Sequence, residues 1–528
     1  MRRAAAVLLV FAATLVLAVA LQVNGGAYEA EFSETMDESA HYVTGLLVHD
    51  WIQAGMPRPV SRFYYQFTRH YSNAVIGHWP PGFYVLQAAW MLLFGVARDS
   101  MVLLMAVVQA VFVTATIWWW KRILPLPYAL GCGLLLLTAP LAQVSSRSLM
   151  GEAPMALLVL AAAAAWCHYL RNGRAAASGA FGVVASMALL TKGTGIVLAP
   201  LPPLTALFTG RARWLARGAF WLPAAIVVVL CGFWYARVPG ALHEEVAWLG
   251  GLLFLPERVP ESLAFLTDQL TPLVAMAAVG GLALWLRDAR RGEPLDPAWS
   301  VAAVMLACSI LFRAVVAVWE PRHMLMSLPW MLLFAAAAVR RVATGEGAAR
   351  RVVGGLCLIT LLTLAVWNVA RTPRKTRLGL REAAGVILES PELAGVDVLV
   401  ISDLRGEGAA TAEFAMRERR PGRRVLPASS VLAQTSFLGD QYQAKFRDAG
   451  SLMQFIRKQG RLAVLLDTPP HPFPHAALAR EAISLHAGAW RRMPEGAGAE
   501  GKVQIWLWEG QQGHQPRAPE TANRNPGI

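Results

Sequence analysis

Residues 77–97 read GHWPPGFYVLQAAWMLLFGVA, and whether this run crosses a membrane decides the topology of the whole chain. A crossing here would reverse the sidedness of every later loop. Five basic clusters follow it: Lys121-Arg122, Arg171 with Arg174, RARWLARG at 211–218, RDARRGEP at 287–294 and RRVATGEGAARR at 340–351. Lys and Arg gather on the cytoplasmic side of membrane proteins, and a crossing at 82–97 would put all five clusters outside. The run therefore reads as a juxtamembrane or re-entrant helix on the outer face. Arg2 and Arg3 likewise put the N-terminus in the cytoplasm. The remaining apolar runs, near 4–23, 100–120, 127–144, 152–170, 175–190, 195–210, 218–236, 269–286, 298–318, 324–339 and 352–370, then give about eleven spans.

Composition agrees with a polytopic membrane protein. The chain has 528 residues, 56% hydrophobic and only 16% charged, with mean hydropathy +0.43. The net charge of +14 would suggest nucleic acid in a soluble protein. Here the cations lie between apolar runs, as membrane topology requires, so no nucleic-acid partner is expected. The five cysteines, Cys132, Cys167, Cys231, Cys308 and Cys357, all lie in apolar runs and form no CxxC, which reads as packing. The first apolar run is long for a signal peptide and reads as a retained helix.

On this topology the compact polar motifs all face outward. ETMDESAHY (34–42) carries Asp37, Glu38 and His41. In a helix Asp37 and His41 are one turn apart on one face, and two carboxylates also suit a helix N-terminus. GHWPPGFY carries His78 ahead of two prolines that fix an extended entry into the next helix. SSRSLMGEAP (145–154) carries Arg147 and Glu152 beside lipid, where ionisable groups cost free energy and mark a pathway or a site. LLTKGTGIVLAP (189–200) places Lys192 outside, against the general trend, where it can meet a phosphate as a point charge. VWEPRHMLMSLP (318–329) brings Glu320, Arg322 and His323 into one short loop. Each motif alone also fits interfacial anchoring, snorkelling or simple ion pairing.

Together they supply carboxylates, cations and histidines on one face of one bundle. That inventory suits glycosyl transfer from a lipid phosphate. A carboxylate takes the proton of an acceptor hydroxyl as it attacks the anomeric carbon. The departing phosphate needs cations or a metal. A carrier or flippase of lipid-linked sugar is the alternative, and an inactive scaffold a third. Carriers place ionisable groups at mid-span in paired repeats, whereas here the span interiors are nearly clean and no repeat is seen.

The ordered set of Asp37-Glu38, HWPPGFY, SRSLMGEAP, ALLTKGTG and EPRHMLMSLP resembles the GT-C membrane glycosyltransferases over about residues 1–340. It is most similar to the branch holding protein O-mannosyltransferases, the lipid A aminoarabinose transferase and bacterial dolichyl-phosphate-mannose-type transferases. The resemblance implies an inverting transferase with Asp37 as base beside Glu38, and a sugar donor on a polyprenyl phosphate. It matches Lys192 to the family's TKG stretch and Arg322 to an arginine of the late outer loop; with Arg147 these are the candidates for the donor phosphate, and His41 and Glu320 are further candidate site residues. A divalent metal on His78, Glu152 and His323 is left open. The family can carry a carboxylate where His78 stands and often a Lys where Trp79 stands, so the chain departs from the pattern there. The acceptor is a glycan, a lipid or a protein, and the expected location is a bacterial inner membrane with the site on the periplasmic face.

The expected architecture is thus an all-α polytopic bundle of GT-C type at 1–370, with a first outer loop at 24–99. A small periplasmic α/β domain follows at 371–510, then a disordered tail at 511–528. VDVLVIS (396–402), RRVLPAS (423–429), RLAVLLD (461–467) and KVQIWLWE (502–509) read as strands. Residues 408–420 and 451–459 read as helices between them. The GxG of LRGEG (404–408) reads as a strand-to-helix turn and not a nucleotide site.

Overall fold

The computed structural model describes residues 2–238, 255–291, 293, 296–315, 320–343, 347–435, 441–467, 473–494 and 502–509. The expected tail at 511–528 lies outside the described residues, as do Trp319 and much of the expected outer segment 237–268. The chain forms two compact units. One gathers Met1–Glu29, Thr44–Gln53 and Val75–Lys375; the other gathers Ala30–Val43, Ala54–Ala74 and Thr376–Ile528.

The first unit is an all-α bundle. Among the described residues seven helices are long and apolar enough to cross a bilayer: Arg3–Asn24, Arg98–Trp120, Glu152–Asn172, Gly218–Arg237, Pro272–Arg290, Pro321–Val342 and Val352–Arg371. The pair Leu126–Thr138 and Pro140–Arg147, bent by 60°, makes eight if it is one span. The expectation of about eleven spans is corrected, and the reasons are local. Pro140 lacks an amide hydrogen and drives Ala139 to an extended ψ of 133°, so the run at 127–144 breaks in its middle. The run at 195–210 divides into a 3-10 helix, Gly193–Leu198, and the short helix Leu201–Phe208, with Pro200, Pro202 and Pro203 at the break. Helix Ala175–Thr191 has 17 residues, about 26 Å at 1.5 Å per residue and short of a ~30 Å hydrocarbon core. The run at 298–318 is apolar helix over Pro297–Phe312, and its last residues lie outside the described ones. The deciding run at 82–97 forms a 13-residue helix, Gly82–Phe94.

Burial separates the core helices from the lipid-facing ones. Helices Arg98–Trp120 and Glu152–Asn172 are largely buried. Trp119 and Trp120, at the end of helix Arg98–Trp120, pack ring against ring with Trp330 of helix Leu328–Val342, with centroids 4.7–5.7 Å apart. Helices Arg2–Asn24 and Gly347–Arg371 instead expose Leu8, Leu9, Val16, Leu356, Leu358 and Ile359, the surface a bilayer would cover. Helices Pro272–Arg290 and Leu328–Val342 approach so closely that a Cβ on Gly281 would lie 1.9 Å from the Phe334 carbonyl oxygen.

The second unit is a mixed sheet covered by helices. Its strands are β1 (Asp397–Ile401), β2 (Val425–Pro427), β3 (Ala433–Gln434), β4 (Gln443–Ala444), β5 (Leu462–Asp467), β6 (Trp490–Arg492) and β7 (Val503–Trp508). The five-stranded sheet runs β2-β1-β5-β7-β6, and β3 with β4 form a separate pair. β1 is parallel to both β2 and β5, while β7 runs antiparallel to β5 and β6. The four strands and two helices expected from sequence are all present. Leu399, Ile401, Val464 and Leu466 meet Leu452, Met453 and Ile456 of helix Ala449–Lys458 in the core.

Two early segments of the chain are built into this unit. Glu31 is fully buried, and its carboxylate accepts the Leu378 and Arg381 amides, each at 3.0 Å. These amides lie at the start of helix Leu380–Glu389, where the exposed helix dipole favours an anion. Tyr71 forms a parallel bridge to Val425 on the edge strand β2. The Tyr71 hydroxyl accepts the Gly422 amide at 2.9 Å, and His70 Nδ1 lies 2.7 Å from the Gly422 carbonyl oxygen.

Candidate active site

The candidate site residues fall in both units, and each group is built from its own elements. In the bundle, Glu152 opens helix Glu152–Asn172, where the dipole favours a carboxylate. Lys192 follows helix Ala175–Thr191 in extended conformation, φ −157° and ψ 135°. The glycines of TKGTG make that exit. A Cβ on Gly195 would lie 2.8 Å from the Ala188 carbonyl carbon, so only glycine lets the 3-10 helix fold back onto the preceding turn. Gly82 does the same for the PPG turn, since its Cβ would lie 2.7 Å from the Leu190 carbonyl oxygen. Thus the start of helix Gly82–Phe94, the end of helix Ala175–Thr191 and the start of helix Glu152–Asn172 converge.

The loop at 320–327 completes the cluster. Glu320 precedes the 3-10 helix Pro321–Ser327, which presents Arg322 and His323. Glu152 Oε1 forms ion pairs with Lys192 Nζ and with Arg322 Nε, the latter at 2.9 Å. His323 Nε2 lies 4.0 Å from the same oxygen. Arg322 also pairs with Glu320, whose Oε2 is 2.8 Å from the same Nε and whose Oε1 accepts Nη2 at 2.8 Å. The side chain of Glu152 is 1% exposed, those of Lys192 and Arg322 14% and 15%, and that of Glu320 40%. Glu152 Oε2 and His323 Nδ1 are buried without a hydrogen-bond partner among the described residues, the kind of orphaned polar atom that calls for a ligand or water.

Of the sequence candidates, Glu152, Lys192, Glu320, Arg322 and His323 are therefore brought together. Arg147, at the end of helix Pro140–Arg147, is 3% exposed and donates from Nη1 to the Pro373 carbonyl. It also packs against Gly25, where an added Cβ would lie 3.4 Å from its Cδ. His78 is half-buried in the loop before Gly82, its ring edge-on to Trp79 at 4.6 Å.

In the second unit, Asp37 and Glu38 occupy the first turn of helix Met36–Gln53. Glu38 is fully buried and accepts the Glu34 amide at 2.7 Å; Asp37 is 8% exposed. His41 follows one turn later and is buried. Sequence reasoning missed what holds this turn. Ser39 accepts from Asn73 Nδ2 at 3.0 Å, and a Cβ on Gly408 would lie 2.2 Å from Ser39 Oγ. Gly406 in turn faces Ser402 Oγ at 1.9 Å from its would-be Cβ. The two glycines of LRGEG thus serve close packing at the start of helix Leu404–Arg417.

A divalent metal does not fit the bundle cluster. Among the described residues no group of three His, Cys, Asp or Glu side chains could hold an ion. Glu152 already carries two cations on one oxygen, and a third positive centre would be repelled by both.

The fold is that of the GT-C membrane glycosyltransferases. Residues 78–235 match the family model described as dolichyl-phosphate-mannose-protein mannosyltransferase, a stretch that takes in His78, Glu152 and Lys192. The structure is similar to that of ArnT from Cupriavidus metallidurans in the apo state, with TM-score 0.63 and 15% identity, covering 96% of this chain and 98% of that one. It is similar to ArnT bound to undecaprenyl phosphate, with TM-score 0.57 and 14% identity over 95% and 97% of the two chains. It is also similar to the oligosaccharyltransferase AglB from Archaeoglobus fulgidus in complex with an inhibitory peptide and a dolichol-phosphate, with TM-score 0.52 and 12% identity over 97% and 75%. No curated protein matches the sequence.

Proposed function

We propose that this protein is a membrane glycosyltransferase that moves a sugar from a polyprenyl-phosphate donor to an acceptor hydroxyl on the periplasmic face of a bacterial inner membrane, with inversion. The observation that carries the reading is the pair of half-buried cations, Lys192 and Arg322, held on the buried Glu152 in a bundle of GT-C fold. Asp37 acts as general base. Its carboxylate accepts the proton of the acceptor hydroxyl while that oxygen forms its bond to the anomeric carbon. The bond from the anomeric carbon to the phosphate oxygen breaks, and its electron pair leaves with the polyprenyl phosphate. Charge grows on that phosphate as the bond lengthens, and Lys192 and Arg322 are the groups to neutralise it. The sugar carries oxocarbenium character between the two events.

The test is release of polyprenyl phosphate from radiolabelled polyprenyl-phosphate sugars by the purified protein in nanodiscs, with envelope extract as acceptor. Asp37→Asn is expected to lower the rate by about 10²–10⁴-fold. An Asp37→Asn protein that transfers sugar at the wild-type rate would remove Asp37 from the mechanism. Movement of intact donor across a liposome bilayer without its consumption would replace the transferase reading by a carrier.

A further inference from the structure

The turn that carries Asp37 is held from both sides. Ahead of it, the Glu38 carboxylate reaches back to the Glu34 amide at 2.7 Å. Behind it runs a short relay of hydrogen bonds. Asn73 Nδ2 donates to Ser39 Oγ at 3.0 Å, and the Ser39 hydroxyl donates to the Met36 carbonyl at 3.3 Å. Hydrogen bonds in series polarise one another, so the relay holds better than its members would alone. Met36 opens helix Met36–Gln53 and is the chain neighbour of Asp37. Asn73 has a firm seat of its own. Val425 of strand β2 donates its amide to the His70 carbonyl at 2.9 Å, Tyr71 bridges to Val425, and the Gly422 amide donates to the Tyr71 hydroxyl. From helix Leu404–Arg417, Gly408 brings bare backbone against the relay. A Cβ there would lie 2.2 Å from Ser39 Oγ and 2.8 Å from Asn73 Nδ2. Asp37, Ser39, Asn73, Gly408 and Val425 all belong to the second unit.

We propose that Asn73 is a positioning residue for Asp37, seated by the C-terminal sheet and by Gly408. Through Ser39 it fixes the first turn of helix Met36–Gln53, so that the Asp37 carboxylate meets the acceptor hydroxyl in one orientation. A general base works only within hydrogen-bond reach of the proton it takes. A misplacement of about 1 Å can cost about a hundredfold in rate. The C-terminal domain thereby takes part in catalysis without touching the substrate. The inference rests on the reading of Asp37 as the base, and it adds what sets the geometry of that base. Lys192 and Arg322 stand on other elements, so binding of the donor phosphate should not depend on Asn73.

The experiment compares wild type, Asn73→Ala, Ser39→Ala, Asp37→Asn and the double variant Asp37→Asn/Asn73→Ala as full chains in nanodiscs. It reads kcat for release of polyprenyl phosphate from the radiolabelled polyprenyl-phosphate sugar that wild type consumes, Kd for undecaprenyl phosphate, and melting. Asn73→Ala and Ser39→Ala are each expected to lower kcat by about ten- to hundredfold. Kd should stay within about twofold of wild type, as for a change felt only in the transition state. In the Asp37→Asn background the Asn73 change should cost nothing further, because it acts through a carboxylate already gone. Turnover at the wild-type rate in Asn73→Ala would overturn the proposal. So would a full further loss of rate in the double variant, or a weakening of phosphate binding and melting in step with the rate, since either marks Asn73 as merely structural. If Asp37→Asn itself transfers sugar at the wild-type rate, the base reading fails and the inference falls with it.

Discussion

Removing Glu152 should unbalance the bundle more than any other single change in the cluster. At the 2.9 Å between Arg322 Nε and Glu152 Oε1, an effective dielectric of about 20 gives a Coulomb attraction of roughly 6 kcal/mol, and Lys192 adds a term of similar size. Most of this is offset by the cost of taking the charges out of water. What remains to be lost on truncation is the cost of leaving the cations without a counter-charge, typically ~3–5 kcal/mol for a buried pair. Glu320 still holds Arg322, so Glu152→Ala should fall near the low end, about 3 kcal/mol. Glu152→Gln keeps an acceptor oxygen and should cost about 1–2 kcal/mol. The assay is melting in nanodiscs followed by tryptophan fluorescence, with Lys192→Met and the Glu152→Ala/Lys192→Met pair to close a cycle. Coupling of at least ~1 kcal/mol is expected, since the second change removes a cation that the first stranded. A Glu152→Ala protein that melts with wild type, with additive single effects, would refute the view that this carboxylate holds the cations.

Two further outcomes follow from packing and from protonation. Gly281→Ala places a methyl carbon against the Phe334 carbonyl, 1.9 Å away before any shift. It should force helices Pro272–Arg290 and Leu328–Val342 apart, with a loss of about 1–3 kcal/mol visible as lower melting temperature and yield. Glu407, in the second unit, is buried with its carboxylate accepting the Ser429 amide at 2.9 Å and the Ser429 hydroxyl. Burial pushes its carboxyl up from 4.5 to about 8. The protonated form is the one the fold prefers, so its contribution is complete below pH 4.5 and is lost as pH rises to about 8. Glu407→Gln should flatten that loss and raise melting temperature relative to wild type near pH 8, by a margin that shrinks toward pH 5. A wild-type melting curve that does not fall across this window, or a variant with the same slope, would contradict the assignment.

Much of the fold could be read locally. Strands β1, β2, β5 and β7 were visible because alternating or continuous apolar runs bounded by turns are a property of short segments. Polytopic character was visible because hydropathy adds along the chain. The number of spans was overestimated where additive hydropathy met local geometry. Pro140 and the Pro200–Pro203 stretch break apolar runs that composition alone would carry straight through. Among the site residues, each motif could be named from sequence, yet its partners could not. SRSLMGEAP, TKG and EPRH each carried a charge near lipid, which fits anchoring as well as a site.

The sequence by itself determined the membrane class, the order of the polar motifs, and the alternation of strands and helices after residue 378. Only the tertiary structure decided that Lys192 and Arg322 share Glu152, with Glu320 as a second anion. Only it decided that Ala30–Val43 and Ala54–Ala74 complete the unit formed by the C-terminal sheet. The physical reason is the same in both cases. Burial and backbone propensity are set by neighbours along the chain, whereas the partner of a buried charge or an edge strand is whichever group the packing delivers. Glu31 against the start of helix Leu380–Glu389, and Tyr71 against Val425, are pairings of that kind, fixed by groups that must be satisfied once water is excluded.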